Sequence, residues 1–171
     1  MIVRGLARCL VIALPLWAAA CASRPDLSQL RERPEDFTIA VAVHGVRGVR
    51  GAPRAVRPAR YVFEADGTLR YVGSSADRGW PPPIRTLPPS VQDEFWRLVR
   101  DSGLLERDHP ARVYGPVSTD PMTVEGPVAV FDIAYAGAQA RARVPLNGGS
   151  DESVLAERIL DRLADLAWVR E

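Results

Sequence analysis

Val128-Ala-Val-Phe-Asp-Ile-Ala-Tyr-Ala-Gly-Ala-Gln-Ala-Arg-Ala-Arg-Val144 is the stretch that decides the fold. Its residues alternate in size and polarity, as expected of strands with one buried face. A two-residue turn at Ala136-Gly137 aligns Phe131 with Ala142 on one face and Asp132 with Arg141 on the other. Because one register gives both an apolar face and a cross-strand ion pair, the stretch predicts an antiparallel hairpin over 128–146.

A second hairpin is predicted over residues 60–72, around Asp66-Gly67. A three-residue loop with Gly67 in the left-handed conformation pairs Phe63 with Leu69 and Tyr61 with Tyr71. A two-residue loop sets Phe63 opposite Arg70 instead. The first register is favoured because it makes one face uniformly apolar.

The run from Phe37 to Val43 also alternates and predicts the first strand. One face carries Phe37 and the branched residues, whereas the other carries the small residues Ala40 and Ala42. The small face offers room for a helix.

Two amphipathic helices are predicted beyond these strands. Ser90 is expected to cap the first helix and Gly103 to end it, and the second begins at Ser150 or Asp151. Their expected apolar faces contain Val91, Phe95, Leu98 and Val99 in the first, and Leu155, Ile159, Leu163 and Leu166 in the second. The proline-rich stretches 73–89 and 107–127 are expected to be irregular, apart from a short strand near Val113.

The pattern predicts an α+β fold, with an antiparallel sheet of roughly five strands and both helices packed on one face. The strings YVFEADGTLRYVG, RDSGLLE and FDIAYAGAQARARV and the closing helix resemble domains of unknown function found in small bacterial lipoproteins. The resemblance covers roughly residues 37–168. It implies the same α+β class and supplies no activity.

The first 20 residues have the features of a secretory signal peptide. Arg4 and Arg8 precede an apolar run from Cys9 to Trp17, which is too short to cross a bilayer, and small residues follow. Ala18-Ala19-Ala20-Cys21 resembles the lipobox of bacterial lipoproteins, although Ala18 stands where that motif usually has Leu. The alternative is ordinary cleavage near Ala20 or Ala22, which would release a periplasmic protein.

Lipidation of Cys21 predicts a membrane-anchored lipoprotein with three parts: a signal peptide over 1–20, a lipidated cysteine and tether over 21–36, and a single domain over 37–171. About 150 mature residues suit one domain. Ala22, which follows Cys21, is not the aspartate associated with inner-membrane retention. The resemblance therefore implies an outer-membrane location facing the periplasm.

The charge balance argues against nucleic-acid binding. The whole chain carries 22 basic and 21 acidic residues, and loss of Arg4 and Arg8 leaves a net charge of −1. A nucleic-acid-binding domain would show a basic excess. Past Cys21 the sequence contains no cysteine, which excludes an internal disulfide in the mature chain.

The sequence contains no motif for catalysis, cofactor binding or metal binding. His44 and His109 are far apart and lack metal-ligand spacing. The clusters Ser74-Ser75 and Ser118-Thr119-Asp120 are typical of turns. We therefore predict no catalytic residue, no metal and no cofactor.

Two surface features remain as binding candidates. The segment 46–60 contains five arginines and no acid, a pattern that attracts anionic surfaces or, more simply, keeps a loop soluble. These arginines are Arg47, Arg50, Arg54, Arg57 and Arg60. Trp80, beside Pro81, is expected to cover one end of the core, and the alternative is an exposed anchor for a partner.

The predicted function is a non-catalytic binding or scaffolding domain, held at the membrane through lipid on Cys21. Its possible partners are anionic lipid, glycolipid or an envelope protein, and nucleic acid is not among them. The alternative is a small periplasmic hydrolase whose site is assembled only by the fold. A cleft that holds a shifted acid or histidine beside Ser or Asp would favour the hydrolase.

Overall fold

A computed structural model describes residues 25–45, 52–73, 79–106, 126–146 and 148–169. The described chain forms a six-stranded antiparallel sheet in the order β4-β3-β2-β1-β5-β6, together with two α-helices. The strands are β1 (Thr38–His44), β2 (Ala59–Phe63), β3 (Thr68–Val72), β4 (Pro83–Thr86), β5 (Val128–Tyr135) and β6 (Ala138–Pro145). The helices are α1 (Pro89–Arg100) and α2 (Asp151–Leu166), with 3-10 turns at Arg54–Val56 and Leu104–Glu106. The predicted α+β class is confirmed.

The sixth strand, β4, lies in a stretch that was predicted to be irregular, and that prediction is wrong. β4 pairs with β3 at the edge of the sheet. The N–H of Tyr71 donates to the carbonyl of Pro82 at 3.3 Å. Proline has no backbone N–H to donate, but its carbonyl can still accept a hydrogen bond from the neighbouring strand. An edge strand tolerates proline because one of its sides needs no partner.

Both hairpin registers are confirmed. Tyr61 pairs with Tyr71 and Phe63 with Leu69, and Gly67 has a φ of +86°. In the β5–β6 hairpin Phe131 pairs with Ala142 and Asp132 with Arg141. Ala136 and Gly137 have φ angles of +47° and +75°, and positive φ at both turn residues is the pattern of a type I′ turn.

The helix boundaries correct one predicted cap. Ser150 does cap α2, because its side chain accepts from the N–H of Ser153. Ser90 does not cap α1, since that helix already begins at Pro89, after an extended Pro88. Proline suits the first position of a helix because its fixed φ is helical and its missing N–H needs no partner.

The large face of β1, and not its small face, lies under the helices. Ile39, Val41 and Val43 belong to the same buried cluster as Phe95 of α1 and Ile159 of α2. Placing branched and aromatic side chains beneath the helices removes more apolar area from water than placing alanines there. The small face therefore lies on the opposite side of the sheet.

The segment 26–36, which was predicted to be a tether, contacts the rest of the domain. Leu27 and Leu30 pack against the core. The carboxylate of Asp36 accepts from the N–H groups of Ala136 and Gly137, both at 2.6 Å. Residues 26–36 are therefore attached to the folded domain.

Leu163→Ala is expected to destabilise the domain by about 2–5 kcal/mol, the usual cost of emptying a buried leucine site. Leu163 on α2 is fully buried, whereas Leu98 on α1 is only partly buried. Leu98→Ala should therefore cost less than Leu163→Ala, and denaturant unfolding of both variants measures the order. Equal losses would mean that the two sites are equally enclosed, contrary to the structure.

No helix in the described part of the chain is long and apolar enough to cross a membrane.

Candidate anion-binding surface

The face of the sheet opposite the helices is the candidate site, and we call it the open face. Its positions follow from the strand register, because directly paired residues share a face. One row across β3, β2, β1, β5 and β6 contains Arg70, Val62, Ala40, Asp132 and Arg141. The next row contains Val72, Arg60, Ala42, Val130 and Arg143. The open face is therefore a stripe of small apolar residues with arginines on both sides.

Two apolar side chains of this face are buried without belonging to the main core. Val62 and Val128 are each only 4% exposed, yet neither is part of the core cluster beneath the helices. The helix residues of that cluster pack on the other side of the sheet. The open face therefore carries apolar surface of its own.

Two of the arginines on this face are neutralised by carboxylates beside them. Arg70 lies 3.0 Å from Glu64, and Arg141 pairs with Asp132 across the β5–β6 hairpin. The second pair was predicted from the sequence and is confirmed. The net positive charge of the open face therefore comes from the row that contains Arg60 and Arg143.

Arg60, Arg143 and His44 form what we call the cationic end of the open face. His44 lies two positions after Ala42 on β1, so the two residues share a face. Ala42 pairs with Arg60 of β2 on one side. On the other side it pairs with Val130 of β5, which pairs with Arg143 of β6. Burial lowers the pKa of His44, and the positive charges of Arg143 and Arg60 lower it further. Both guanidinium groups therefore act on the imidazole and favour its neutral form.

Arg143 is exposed, and among the described residues it forms no hydrogen bond or ion pair. Arg60 is partly exposed and donates to the carbonyl of Gly79 at 3.1 Å. An anion at this end would meet charge from two strands that are separated by β1 and β5. Such an arrangement can bind a phosphate or carboxylate group by charge-assisted hydrogen bonds.

The described arginines of the segment 46–60 do not share one surface. Arg54 pairs with Asp165 of α2 at 2.6 Å, on the helix side of the sheet. Arg57 donates to the carbonyl of Ala52 at 2.9 Å, and its charge acts on Tyr61, which also faces the helices. Arg60 alone of these three lies on the open face, while Arg47 and Arg50 lie outside the described residues.

Sequence reasoning missed Arg143. The alternation in β6 already placed Arg141 and Arg143 on the face that Ala142 does not share, so the outward position of Arg143 could be predicted from the sequence. That Arg143 shares a row of the open face with Arg60 was not visible, because that requires the strand order in which β1 lies between β2 and β5.

Trp80 is 61% exposed, so the prediction that it covers the core is wrong. It stands just before the edge strand β4, and Trp96 of α1 fills the core instead. Gly79, the preceding residue, accepts the hydrogen bond from Arg60. An exposed tryptophan therefore directly follows a residue that contacts the cationic end.

Two surface grooves in the described part of the chain are lined by Arg54, Asp165, Trp168 and Val169 in one case, and by residues around Leu27, Arg97 and Arg100 in the other. Neither groove is lined by a histidine. Burial raises the pKa of Asp161 on α2, but no described serine or histidine contributes to that shift.

In the part of the chain that the structure describes, no group of three or more His, Cys, Asp or Glu residues is placed to hold a metal ion. His109 and the clusters at Ser74 and Ser118 lie outside the described residues.

Comparison with protein-family models and with curated proteins found no match for this chain.

Proposed function

We propose that this protein is an exported lipoprotein, anchored in the cell envelope through lipid on Cys21, whose domain binds an anionic partner without catalysis. The binding surface is the cationic end of the open face. The observation that carries the binding proposal is that Arg60 and Arg143, from separate strands, share one row of the open face and both act electrostatically on His44. The ligand chemistry that fits is a phosphate-bearing or carboxylate-bearing group of an envelope lipid, glycolipid or protein.

Support for the anchor comes from the sequence. A basic start, a short apolar run and small residues end in Cys21, and the mature chain has no other cysteine with which it could pair. A single acyl chain gives marginal attachment, whereas two or more make anchoring stable. A diacylated or triacylated Cys21 would therefore hold the protein at a membrane.

Support for binding without catalysis comes from the shape of the open face. The residues of its central strand β1 include the small Ala40 and Ala42, and the positive charges of Arg60 and Arg143 favour the neutral form of His44. A general base is normally oriented by a hydrogen-bonded carboxylate or carbonyl beside it. The described neighbours that perturb His44 are guanidinium groups, which suit attraction of an anion better than proton transfer.

The mass of the mature N-terminus tests the anchor. We expect the purified mature chain to begin at Cys21 and to carry the added mass of its acyl chains. The Cys21→Ser variant should lose this mass and leave the membrane fraction. An unmodified wild-type chain that begins at Ala22 or Ser23 would refute the lipoprotein proposal.

A further inference from the structure

The segment 26–36, which we call the N-terminal strap, is fixed to the domain at three places along its length. Arg100 of α1 donates to the carbonyls of Leu30 at 3.4 Å and Arg31 at 3.3 Å. Arg33 lies 3.3 Å from Asp93 and donates to the carbonyl of Ala65 at 3.5 Å.

The strap is fixed most tightly at its C-terminal end, at Asp36. Both carboxylate oxygens of Asp36 accept backbone N–H groups from the β5–β6 turn at 2.6 Å. Hydrogen bonds to a charged acceptor are stronger than neutral ones. The same turn ends one edge hairpin of the sheet, so the strap is joined to the rigid part of the domain.

The attached strap limits how far the domain can stand from a lipid on Cys21. Five residues lie between Cys21 and Leu27, where the strap first packs on the core, so the two are six Cα-to-Cα steps apart. An extended chain of that length spans at most roughly 20 Å. At the start of the strap lies a groove with three arginines and two acids, lined by Leu27, Ser28, Arg31, Arg97, Arg100, Asp101 and Glu106.

The strap and the cationic end lie at opposite ends of β1. Asp36 precedes the first residue of β1 by two positions, whereas His44 is its last residue. A strand of seven residues is roughly 20 Å long. When the strap holds the domain, the two ends of β1 therefore lie at different distances from the bilayer.

We propose that the strap orients the domain on the anchoring bilayer, with the C-terminal end of α1 and the groove around Ser28 facing the lipid. The cationic end then points away from that bilayer, toward a partner that approaches from the surrounding compartment. This inference rests on the lipidation of Cys21 proposed above. The exposed Arg31 and Arg97 at the groove would lie near the lipid phosphates, where an anionic surface attracts cations.

Site-directed quenching in vesicles tests the orientation. A thiol-reactive fluorophore is attached to Ser28→Cys at the strap or to Val154→Cys on α2, both of which are exposed positions. Val154 marks the end of the domain that carries His44. Pro145 pairs with Val128, and Val128 pairs with His44, so the chain is at that end when α2 starts shortly after Pro145. Lipidation consumes the thiol of Cys21, so only the introduced cysteine reacts.

Each labelled, lipidated chain is reconstituted in vesicles of phosphatidylethanolamine and phosphatidylglycerol that contain a nitroxide-bearing lipid. We expect several-fold stronger quenching at position 28 than at position 154. Equal quenching, or stronger quenching at position 154, would overturn the proposed orientation. The mass of the reconstituted chain is measured first, and absence of the acyl chains would refute the lipoprotein proposal together with the orientation.

A longer connection provides the matched control. Inserting 20 Gly and Ser residues between Arg24 and Pro25 adds a flexible link of about 25 Å on average and leaves lipid and domain unchanged. The difference between the two labelled positions should then disappear. If it persists, surface contacts and not the strap set the orientation, which would also overturn the proposal.

Discussion

Phe37→Ala is expected to lower the free energy of unfolding by about 3–5 kcal/mol, as for other buried phenylalanines. Phe37 is 0% exposed and lies at the centre of an aromatic cluster. Its ring centroid is 4.9 Å from that of Trp96, 5.6 Å from that of Phe63 and 6.3 Å from that of Phe95. Removing the ring would leave a cavity bordered by β2 and α1, which the surrounding side chains can fill only in part.

The expected loss is large compared with the whole stability of a domain, which is typically about 5–15 kcal/mol. Phe37 also joins the strap to the sheet, since its N–H donates to the carbonyl of Pro34 at 3.1 Å. Circular dichroism during urea unfolding gives the measurement. Val154→Ala is the control, because Val154 is 48% exposed and its truncation should change stability by less than about 0.5 kcal/mol. A loss below about 1 kcal/mol for Phe37→Ala would contradict its place at the centre of the core.

The double variant Arg60→Gln and Arg143→Gln is expected to weaken binding to anionic vesicles by about 30-fold, if each cation contributes about 1 kcal/mol at the surface. The probe is the mature chain with Cys21→Ser, so that no lipid masks the contribution of the domain. Vesicles of phosphatidylglycerol are compared with neutral phosphatidylcholine vesicles. Binding of the chain with both arginines should also weaken as salt is raised, because the screening length falls to about 8 Å at physiological ionic strength.

A second pair of substitutions controls for the loss of net charge. Arg158 and Arg162 lie on α2, on the side of the sheet opposite the cationic end and outside the groove at the strap. Arg158→Gln with Arg162→Gln removes the same charge and should leave vesicle binding within a few-fold of the unsubstituted chain. Equal losses from both pairs would show that net charge, and not the cationic end, drives binding.

The titration of His44 locates the bound anion. Burial and the two arginines lower its pKa in the free protein, and a phosphate beside it would offset their positive charge. We therefore expect the pKa of His44, followed by NMR, to rise when anionic vesicles bind. An unchanged His44 pKa during salt-sensitive binding would place the contact elsewhere on the domain.

The amino-acid sequence by itself was sufficient for the local structure of both hairpins and of α2, although not for β4 or for the start of α1. Alternation of apolar and polar residues set the registers of both hairpins, because a shift of one residue would turn every buried side chain toward water. The Asp132–Arg141 pair and the cap at Ser150 followed from the same local rules. These features depend on residues that are near neighbours in the chain, so their geometry is fixed by the backbone period alone.

The tertiary structure alone decided which surfaces these elements create. The order of the strands places Arg60 of β2 and Arg143 of β6 on one face, and no local pattern encodes that order. It also separates Arg54 from Arg60, although they are close in sequence, since neighbouring segments of a chain can end on opposite sides of a sheet. Burial of Phe37 and its strand neighbours beneath the helices settled which face stays open, because covering large side chains gains more free energy than covering alanines.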